Sequence, residues 1–129
     1  MDLPLSEGME KPVVWIIQAE HWPRAYLRAE LLERGFEAIG FRYMGEAIAA
    51  LRFGTHEKPF VLLIDLQKLA LKASEIRALS LTRIPKILLG GAVELNEDWI
   101  ERVGGALTMR RPFTIGELAD LVETLWRRI

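Results

Sequence analysis

Short, unbroken runs of apolar residues, each ending at a polar residue, constrain the fold of this chain most. Residues 13–17 form such a run before Gln18, and residues 60–64 form another before Asp65. A strand is apolar at every position when helices cover both faces of its sheet, whereas a strand with one solvated face alternates between apolar and polar residues. These runs therefore predict buried strands of a parallel sheet.

Segments with helical periodicity separate the predicted strands. The first ends at Gly35, and the last begins at Thr114, which forms a capping box with Glu117. Five strands that alternate with five helices predict an α/β fold, an open parallel sheet with helices on both faces. We predict strands over residues 13–17, 36–41, 60–64, 86–89 and 107–110, and helices over residues 22–34, 44–51, 74–81, 96–102 and 114–129.

Composition sets the broad class of the protein. The chain has 129 residues, half of them hydrophobic, so we expect one domain over residues 13–129 after a flexible N-terminal tail, residues 1–12. Its net charge of −1 draws it neither to nucleic acid nor to an anionic membrane. The absence of cysteine excludes disulfides and thiolate metal sites. With neither a signal-like segment nor an apolar run of membrane-spanning length, we expect a cytoplasmic protein.

The carboxyl ends of the predicted strands are where a functional site is expected. In an open parallel sheet, ligands bind beyond these ends, next to the point where the strand order switches. The sequence places residues 18–21, 65–67, 90–92 and 110–113 there. These segments hold the candidate site residues Gln18, Ala19, Glu20, Asp65, Gly90 and Arg111.

These strand ends, in this order, resemble the landmarks of bacterial response-regulator receiver domains. Residues 59–65 resemble the family's third strand and place Asp65 at its phosphoacceptor position. Residues 84–89 resemble its fourth strand, and residues 105–113 its fifth strand and a Lys-Pro-Phe corner. The resemblance covers nearly the whole chain from Val13 onward. It implies a flavodoxin-like, doubly wound (βα)5 fold with the strand order 2-1-3-4-5.

The resemblance also implies a magnesium site, from which this sequence departs. Receiver domains that accept a phosphoryl group hold Mg²⁺ with two acidic residues after the first strand, where this chain has Gln18 and Ala19. Only Glu20, one residue on, is acidic. Mg²⁺ prefers anionic oxygen ligands, and phosphoryl transfer depends on that cation. The family's hydroxyl residue falls at Gly90 and its lysine at Arg111, so we interpret the site as degenerate, with no catalytic residue and no cofactor.

Asp65 needs another counter-charge if no metal binds it. A planar guanidinium forms a two-pronged, charge-assisted pair with a carboxylate. We therefore predict that Arg111 pairs with Asp65 and holds the site in one state. The alternative is a weak divalent-metal site made by Glu20 and Asp65 with His21.

A surface in the second half of the chain is a candidate interface. In receiver domains the fourth helix, fifth strand and fifth helix commonly mediate dimerisation or output, and aromatic and arginine side chains are enriched at binding hot spots. The corresponding residues here are Trp99, Arg102, Arg110, Leu121 and Trp126. The alternative is that both tryptophans cap the core. Arginine pairs at residues 110–111 and 127–128 raise DNA binding as another alternative, but acidic neighbours dilute them and no DNA-reading motif follows.

The functional hypothesis follows from the missing magnesium ligands. We expect a stand-alone, non-enzymatic pseudo-receiver that binds a signalling protein, or a second copy of itself, in bacterial signal transduction. The alternative is a functional single-domain response regulator that a histidine kinase phosphorylates at Asp65, with Mg²⁺ as cofactor. Binding to a membrane is not expected.

Overall fold

The computed structural model, which describes residues 11–129, contains five strands and six helical segments in this range. The strands are β1 (Val13–Ile17), β2 (Glu37–Phe41), β3 (Val61–Asp65), β4 (Lys86–Gly90) and β5 (Ala106–Arg110). The helices are α1 (His21–Glu33), α2 (Met44–Phe53), α3 (Ala73–Leu81), α4 (Ala92–Leu95), α5 (Trp99–Arg102) and α6 (Ile115–Arg127). All strands are parallel, and their order is β2-β1-β3-β4-β5, which confirms the predicted fold class.

Both faces of the three central strands, β1, β3 and β4, are buried, which explains the unbroken apolar runs. Successive side chains of a strand point to opposite faces. In β1, Trp15 and Ile17 belong to one core, whereas Val14 and Ile16 belong to the other. The first core lies under α2, α3 and α5, and the second lies under α1 and α6. Continuous apolar sequence is therefore the signature of a sheet covered on two sides.

The fourth crossover differs from the prediction. One helix was predicted over residues 96–102, but the chain forms α4 and α5 with Asn96 between them as the C-cap of α4. Gly91 is the N-cap of α4, and the carboxylate of Glu94 accepts a hydrogen bond from its N–H (3.2 Å). This hydrogen bond caps a helix that starts directly after β4, so Gly90 and Gly91, predicted as a turn, are the last residue of a strand and a helix cap.

Other predicted boundaries differ by one or two residues. The second helix continues to Phe53, and its C-cap Gly54 has φ +62°, a left-handed conformation that favours glycine. Ile129 was predicted in the last helix, which instead ends at Arg127. The predicted tail, residues 1–12, lies outside the described residues except for its last two. Of these, Pro12 already joins the sheet, because its carbonyl accepts a hydrogen bond from the N–H of Glu37 (2.9 Å).

Arg34 joins α1 to α6 on the second face of the sheet. Its guanidinium donates to Asp120 (2.6 Å) and Glu123 (3.3 Å) of α6 and to Glu30 of its own helix (2.8 Å). The hydrogen bond with Asp120, followed by that with Glu30, raises the pKa of Arg34 above its ordinary value. The two helices are thus fixed side by side. Among residues 11–129, no helix is long and apolar enough to cross a bilayer.

Lys86 occupies a buried position at the start of β4. The residue is 3% exposed, and its Nζ donates to the carbonyl of Thr82 (3.0 Å). Burial disfavours the ammonium form and therefore lowers the pKa of Lys86. The folded protein then binds this proton less tightly than the unfolded chain. As a result, the contribution of Lys86 to stability increases as the pH rises toward the ordinary lysine pKa of about 10.4.

Replacement of Lys86 by methionine should raise the free energy of unfolding at neutral pH by about 1 kcal/mol, because methionine fills a similar volume without burying an ammonium group. The alkaline increase in stability should also become smaller, which urea unfolding between about pH 7 and about pH 9 would measure. Lys72→Met, at an exposed position, is the matched control. A Lys86→Met protein less stable than the parent would contradict this account.

Candidate functional site

The candidate site lies at the carboxyl edge of the sheet, on backbone that the sheet fixes. Asp65 ends β3 and Gly90 ends β4. The hydrogen-bond ladder continues one residue beyond the neighbouring strands, since the N–H of Gln18 donates to Phe41 (3.0 Å) and the N–H of Arg111 donates to Gly90 (2.9 Å). The site residues are therefore positioned by the sheet itself rather than by mobile loops.

The carboxylate of Asp65 is buried and accepts four hydrogen bonds from three residues. Its Oδ1 accepts from Nη1 of Arg111 (3.1 Å) and from the N–H of Gln67 (3.0 Å). Its Oδ2 accepts from Nη2 of Arg111 and from Nε2 of Gln18. An ionised carboxylate has about four acceptor positions, so each of them has a donor. The two-pronged Arg111–Asp65 pair predicted from the sequence is present.

Arg111 is held from two sides. Its guanidinium pairs with Asp65, and its Cζ lies 5.1 Å from the centre of the Phe113 ring, within cation–π range. The Arg111 side chain is 34% exposed, whereas that of Asp65 is 5% exposed. One partner of the pair is therefore buried and the other reaches the surface, so the positive charge lies between Asp65 and solvent.

Gln18 replaces an acidic residue with an amide of defined orientation. Its Oε1 accepts a hydrogen bond from the N–H of Glu20 (2.8 Å), which leaves Nε2 to donate to Asp65. Because Gln18 is buried, both ends of its side chain are satisfied inside the protein. A neutral donor thus occupies the side of Asp65 where the resemblance implies anionic metal ligands.

Glu20 does not act with Asp65. Its carboxylate pairs with Nζ of Lys68 (3.2 Å), and both side chains are largely exposed. No group of three or more His, Cys, Asp and Glu side chains within residues 11–129 could hold a metal ion. The structure does not bring Glu20, His21 and Asp65 together as a three-residue metal site, because Glu20 pairs with Lys68 and nitrogen donors surround Asp65. The residues present do not fit the Mg²⁺ ion that the receiver fold implies.

Gly90 lies directly beneath α4. A Cβ atom at this position would lie 3.1 Å from Cβ of Glu94 and 3.6 Å from Cγ of Leu95. The hydroxyl residue that the resemblance implies here therefore requires Glu94, in the first turn of α4, to move by a few tenths of an ångström. The absence of a side chain at Gly90 and the early start of α4 are two parts of one arrangement.

Substitution of Gly90 by threonine should lower the free energy of unfolding by about 1–3 kcal/mol, because the added atoms must displace Glu94 and the start of α4. Urea unfolding would measure the change. Gly91→Thr is the matched control, since a Cβ there meets only the Glu94 carboxylate at 3.6 Å or more, an ordinary contact. Equal effects of the two substitutions would contradict the steric explanation.

The structure divides the predicted interaction surface between two faces of the sheet. Trp99 packs against the first core, and Arg102 and Arg110 are exposed. Leu121 and Trp126 pack against the second core. The Trp126 ring lies 4.9 Å from that of Phe60, at the amino end of the central strands and away from β5. Trp99 and Trp126 are thus each partly buried against a core, which was the stated alternative for both, and they lie on opposite faces of the sheet.

Sequence reasoning missed three contacts of the site. The N–H of Gln67 binds Asp65 two residues earlier, a short-range turn that aspartate commonly forms and that its position after a strand could have indicated. The stacking of Arg111 on Phe113 and the pairing of Lys68 with Glu20 depend on loop conformation, and no pattern in the sequence indicates either.

Comparison with solved structures places this fold among receiver domains. The chain is 22% identical to the receiver domain of Francisella response regulator 1452, with a TM-score of 0.70. The alignment covers 92% of this chain and 98% of that one. The chain is 24% identical to the beryllofluoride-activated NtrC receiver domain, with a TM-score of 0.70 and coverage of 90% and 94%. At this level of identity the likeness is one of fold.

A third similar structure belongs to a family of redox sensors in the streptococci that evolved from two-component response regulators. It is 15% identical, with a TM-score of 0.73, over 90% of this chain and 51% of that one. No protein-family model matches the chain, and no curated protein matches its sequence.

Proposed function

We propose that this chain, which has the fold of response-regulator receiver domains, is a non-enzymatic pseudo-receiver that binds a protein partner in bacterial signalling and undergoes no phosphorylation cycle. The observation that carries the proposal is the occupation of Asp65, whose carboxylate receives four hydrogen bonds, two of them from Arg111. A phosphoacceptor must present a free oxygen to the incoming phosphorus atom. Asp65 can do so only after it loses donors that are part of the folded core.

The charge of the site supports the same proposal. Asp65 and Arg111 together carry no net charge, and the neighbouring Gln18 and Ala19 add none. A transferred phosphoryl group spreads negative charge over its oxygens, and receiver chemistry depends on a divalent cation to neutralise it. Arg111 offers one positive charge, but Asp65 already uses it. The site therefore lacks the charge stabilisation that makes phosphoryl transfer fast.

One titration tests the proposal directly. Beryllofluoride, a phosphoryl mimic, is added with Mg²⁺ while tryptophan fluorescence and backbone amide NMR shifts are followed. Trp22 is a suitable reporter, because it is 64% exposed and lies at the start of α1, four residues beyond Gln18. We expect no saturable change. A saturable change that disappears in Asp65→Asn would instead support the phosphorylated single-domain regulator.

The edge of the sheet at β5 is the proposed partner surface. Among residues 11–129, β5 pairs only with β4, so its other edge carries main-chain groups that no described strand pairs, and Leu107 on this strand is 44% exposed. Arg110 ends this strand, and Trp99 and Arg102 belong to α5, the helix that directly precedes it. Aromatic and arginine side chains around an open strand provide both hydrophobic contact and hydrogen bonding to a protein partner.

Pull-down from the source cell, followed by binding measurements with purified partner, tests this surface. Trp99→Ala should weaken binding, or self-association if the partner is a second copy. Trp126→Ala is the matched control, because Trp126 packs under the central strands. Unchanged binding by a folded Trp99→Ala protein would exclude this edge as the interface.

A further inference from the structure

We infer that the cavity beneath the Asp65–Arg111 pair binds a small apolar molecule, of about the size of benzene, that carries one oxygen acceptor. The cavity has a volume of about 180 Å³ and lies between the sheet and the helices α1 and α6. The inference is independent of whether Asp65 can be phosphorylated and of the partner surface at β5. It concerns a ligand that enters from the opposite side of the sheet from Trp99.

The walls of the cavity are almost wholly apolar. The sheet contributes Ile16 and Leu63, α1 contributes Leu27, and α6 contributes Leu118. An apolar cavity of about 150 Å³ in a protein core stays free of water and accepts benzene. The present cavity is slightly larger than that, so a six-membered ring with one substituent fits by volume. Aliphatic walls offer such a ring contact on both faces without competing for hydrogen bonds.

The polar end of the cavity defines the chemistry of the substituent. Arg111, Asp65 and Gln18 are the polar residues of its lining. All acceptor positions of Asp65 are filled, whereas Arg111 uses only Nη1 and Nη2 and its Nε–H donates to no group within residues 11–129. No buried side-chain nitrogen within residues 11–129 lacks a partner, so this Nε–H is open to solvent, and because Arg111 lines the cavity it is the donor that a ligand oxygen can use. A ligand oxygen satisfies it, and an apolar group does not.

The mouth of the cavity opens between α1 and α6. Pro23, exposed in the first turn of α1, and Ile115, 37% exposed at the start of α6, line it. Arg34, at the end of α1, donates to Asp120 and Glu123 and also to the carbonyl of Gly116 (3.3 Å), the residue after Ile115, so the first half of α6 is held against α1. Access thus requires no break in the sheet.

Phenol and toluene are the probes, because they have nearly the same shape and differ in the oxygen. Each is titrated into the full chain with labelled leucine and isoleucine methyl groups, and methyl NMR shifts are followed. We expect saturable shifts of Leu27, Leu63 and Leu118 with phenol, while Leu62 and Leu79 in the other core do not move. Toluene should bind about tenfold more weakly, the factor for one hydrogen bond to a charged donor.

Two variants with larger side chains test whether the ligand binds in this cavity. Leu118→Phe places a larger ring in the cavity, and Ile115→Phe blocks the mouth at a partly exposed position, which keeps the test valid if the first variant fails to fold. Both should abolish the phenol shifts, and Leu81→Phe, at an exposed leucine outside the cavity, should not. The inference is overturned if phenol gives no saturable shift, if toluene binds as tightly, or if Ile115→Phe retains binding.

Discussion

Replacement of Arg111 by alanine should lower the free energy of unfolding by about 2–3 kcal/mol at neutral pH. The substitution leaves the buried carboxylate of Asp65 without its counter-charge and removes two of its four hydrogen bonds. Breaking a buried ion pair typically costs about 3–5 kcal/mol, and we expect less here because one third of the Arg111 side chain is exposed and water can enter. The shift in the urea midpoint at constant slope measures the loss.

Two comparisons separate the ion pair from general damage. Arg110→Ala removes the neighbouring, exposed arginine and should change stability by no more than about 0.5 kcal/mol. In a double-mutant cycle, Asp65→Asn combined with Arg111→Ala should cost less than the sum of the single changes, because the double variant leaves no unpaired charge. Additive costs would show that the two side chains do not interact energetically.

Restoration of the missing ligands should create magnesium binding. In the triple variant Gln18→Asp, Ala19→Asp and Arg111→Lys, the formal charge of these three positions and Asp65 changes from zero to −2. A dissociation constant of about 1 mM requires about 4 kcal/mol. Two added carboxylates within about 4 Å of a divalent cation supply that amount even at an effective dielectric constant of about 20. We therefore expect millimolar Mg²⁺ binding by calorimetry, and none in the parent chain.

The matched control keeps the shapes of the introduced side chains and removes their negative charge. Gln18→Asn, Ala19→Asn and Arg111→Lys together should bind no Mg²⁺, because amides are neutral ligands and the cation prefers anionic oxygen. The acidic variant should also respond to beryllofluoride. Measurable Mg²⁺ binding by the parent chain, as tight as that of the acidic variant, would show that the parent site does not lack ligands, and would remove the basis of the pseudo-receiver proposal.

The sheet and the ion pair could be predicted because each follows from a strong, general effect. Buried parallel strands must be apolar throughout, so residues 13–17 and 60–64 identify them without reference to the rest of the chain. Asp65 follows the strand predicted over residues 60–64, and Arg111 follows the one predicted over residues 107–110. Parallel strands bring their carboxyl ends to one edge. A buried carboxylate needs a counter-charge, and Arg111 is a suitable cation at that edge.

The fourth crossover and Trp126 could not be predicted, because both depend on competition between local and tertiary effects. A helix start at Gly91 requires that Glu94 fold back onto it, and residues 96–102 alone have an equally helical pattern. Trp126 lies at the edge of the apolar stripe of α6, where the sequence fits either a surface or a core position. Its contact with Phe60 is fixed by how α6 crosses the sheet, which periodicity does not specify.

The Asp65–Arg111 pair also has a mechanical consequence. Asp65 ends β3 and Arg111 follows β5, so their ion pair passes over the end of β4, and Gln18 extends the connection to β1. Side-chain contacts thereby join the ends of β1, β3 and β5 at the carboxyl edge of the sheet, across the end of β4. A signal that loosened one of these strands at this edge of the sheet would have to break the side-chain contacts that join it to the others. Under the proposed function, the partner recognises a surface whose shape these contacts keep constant.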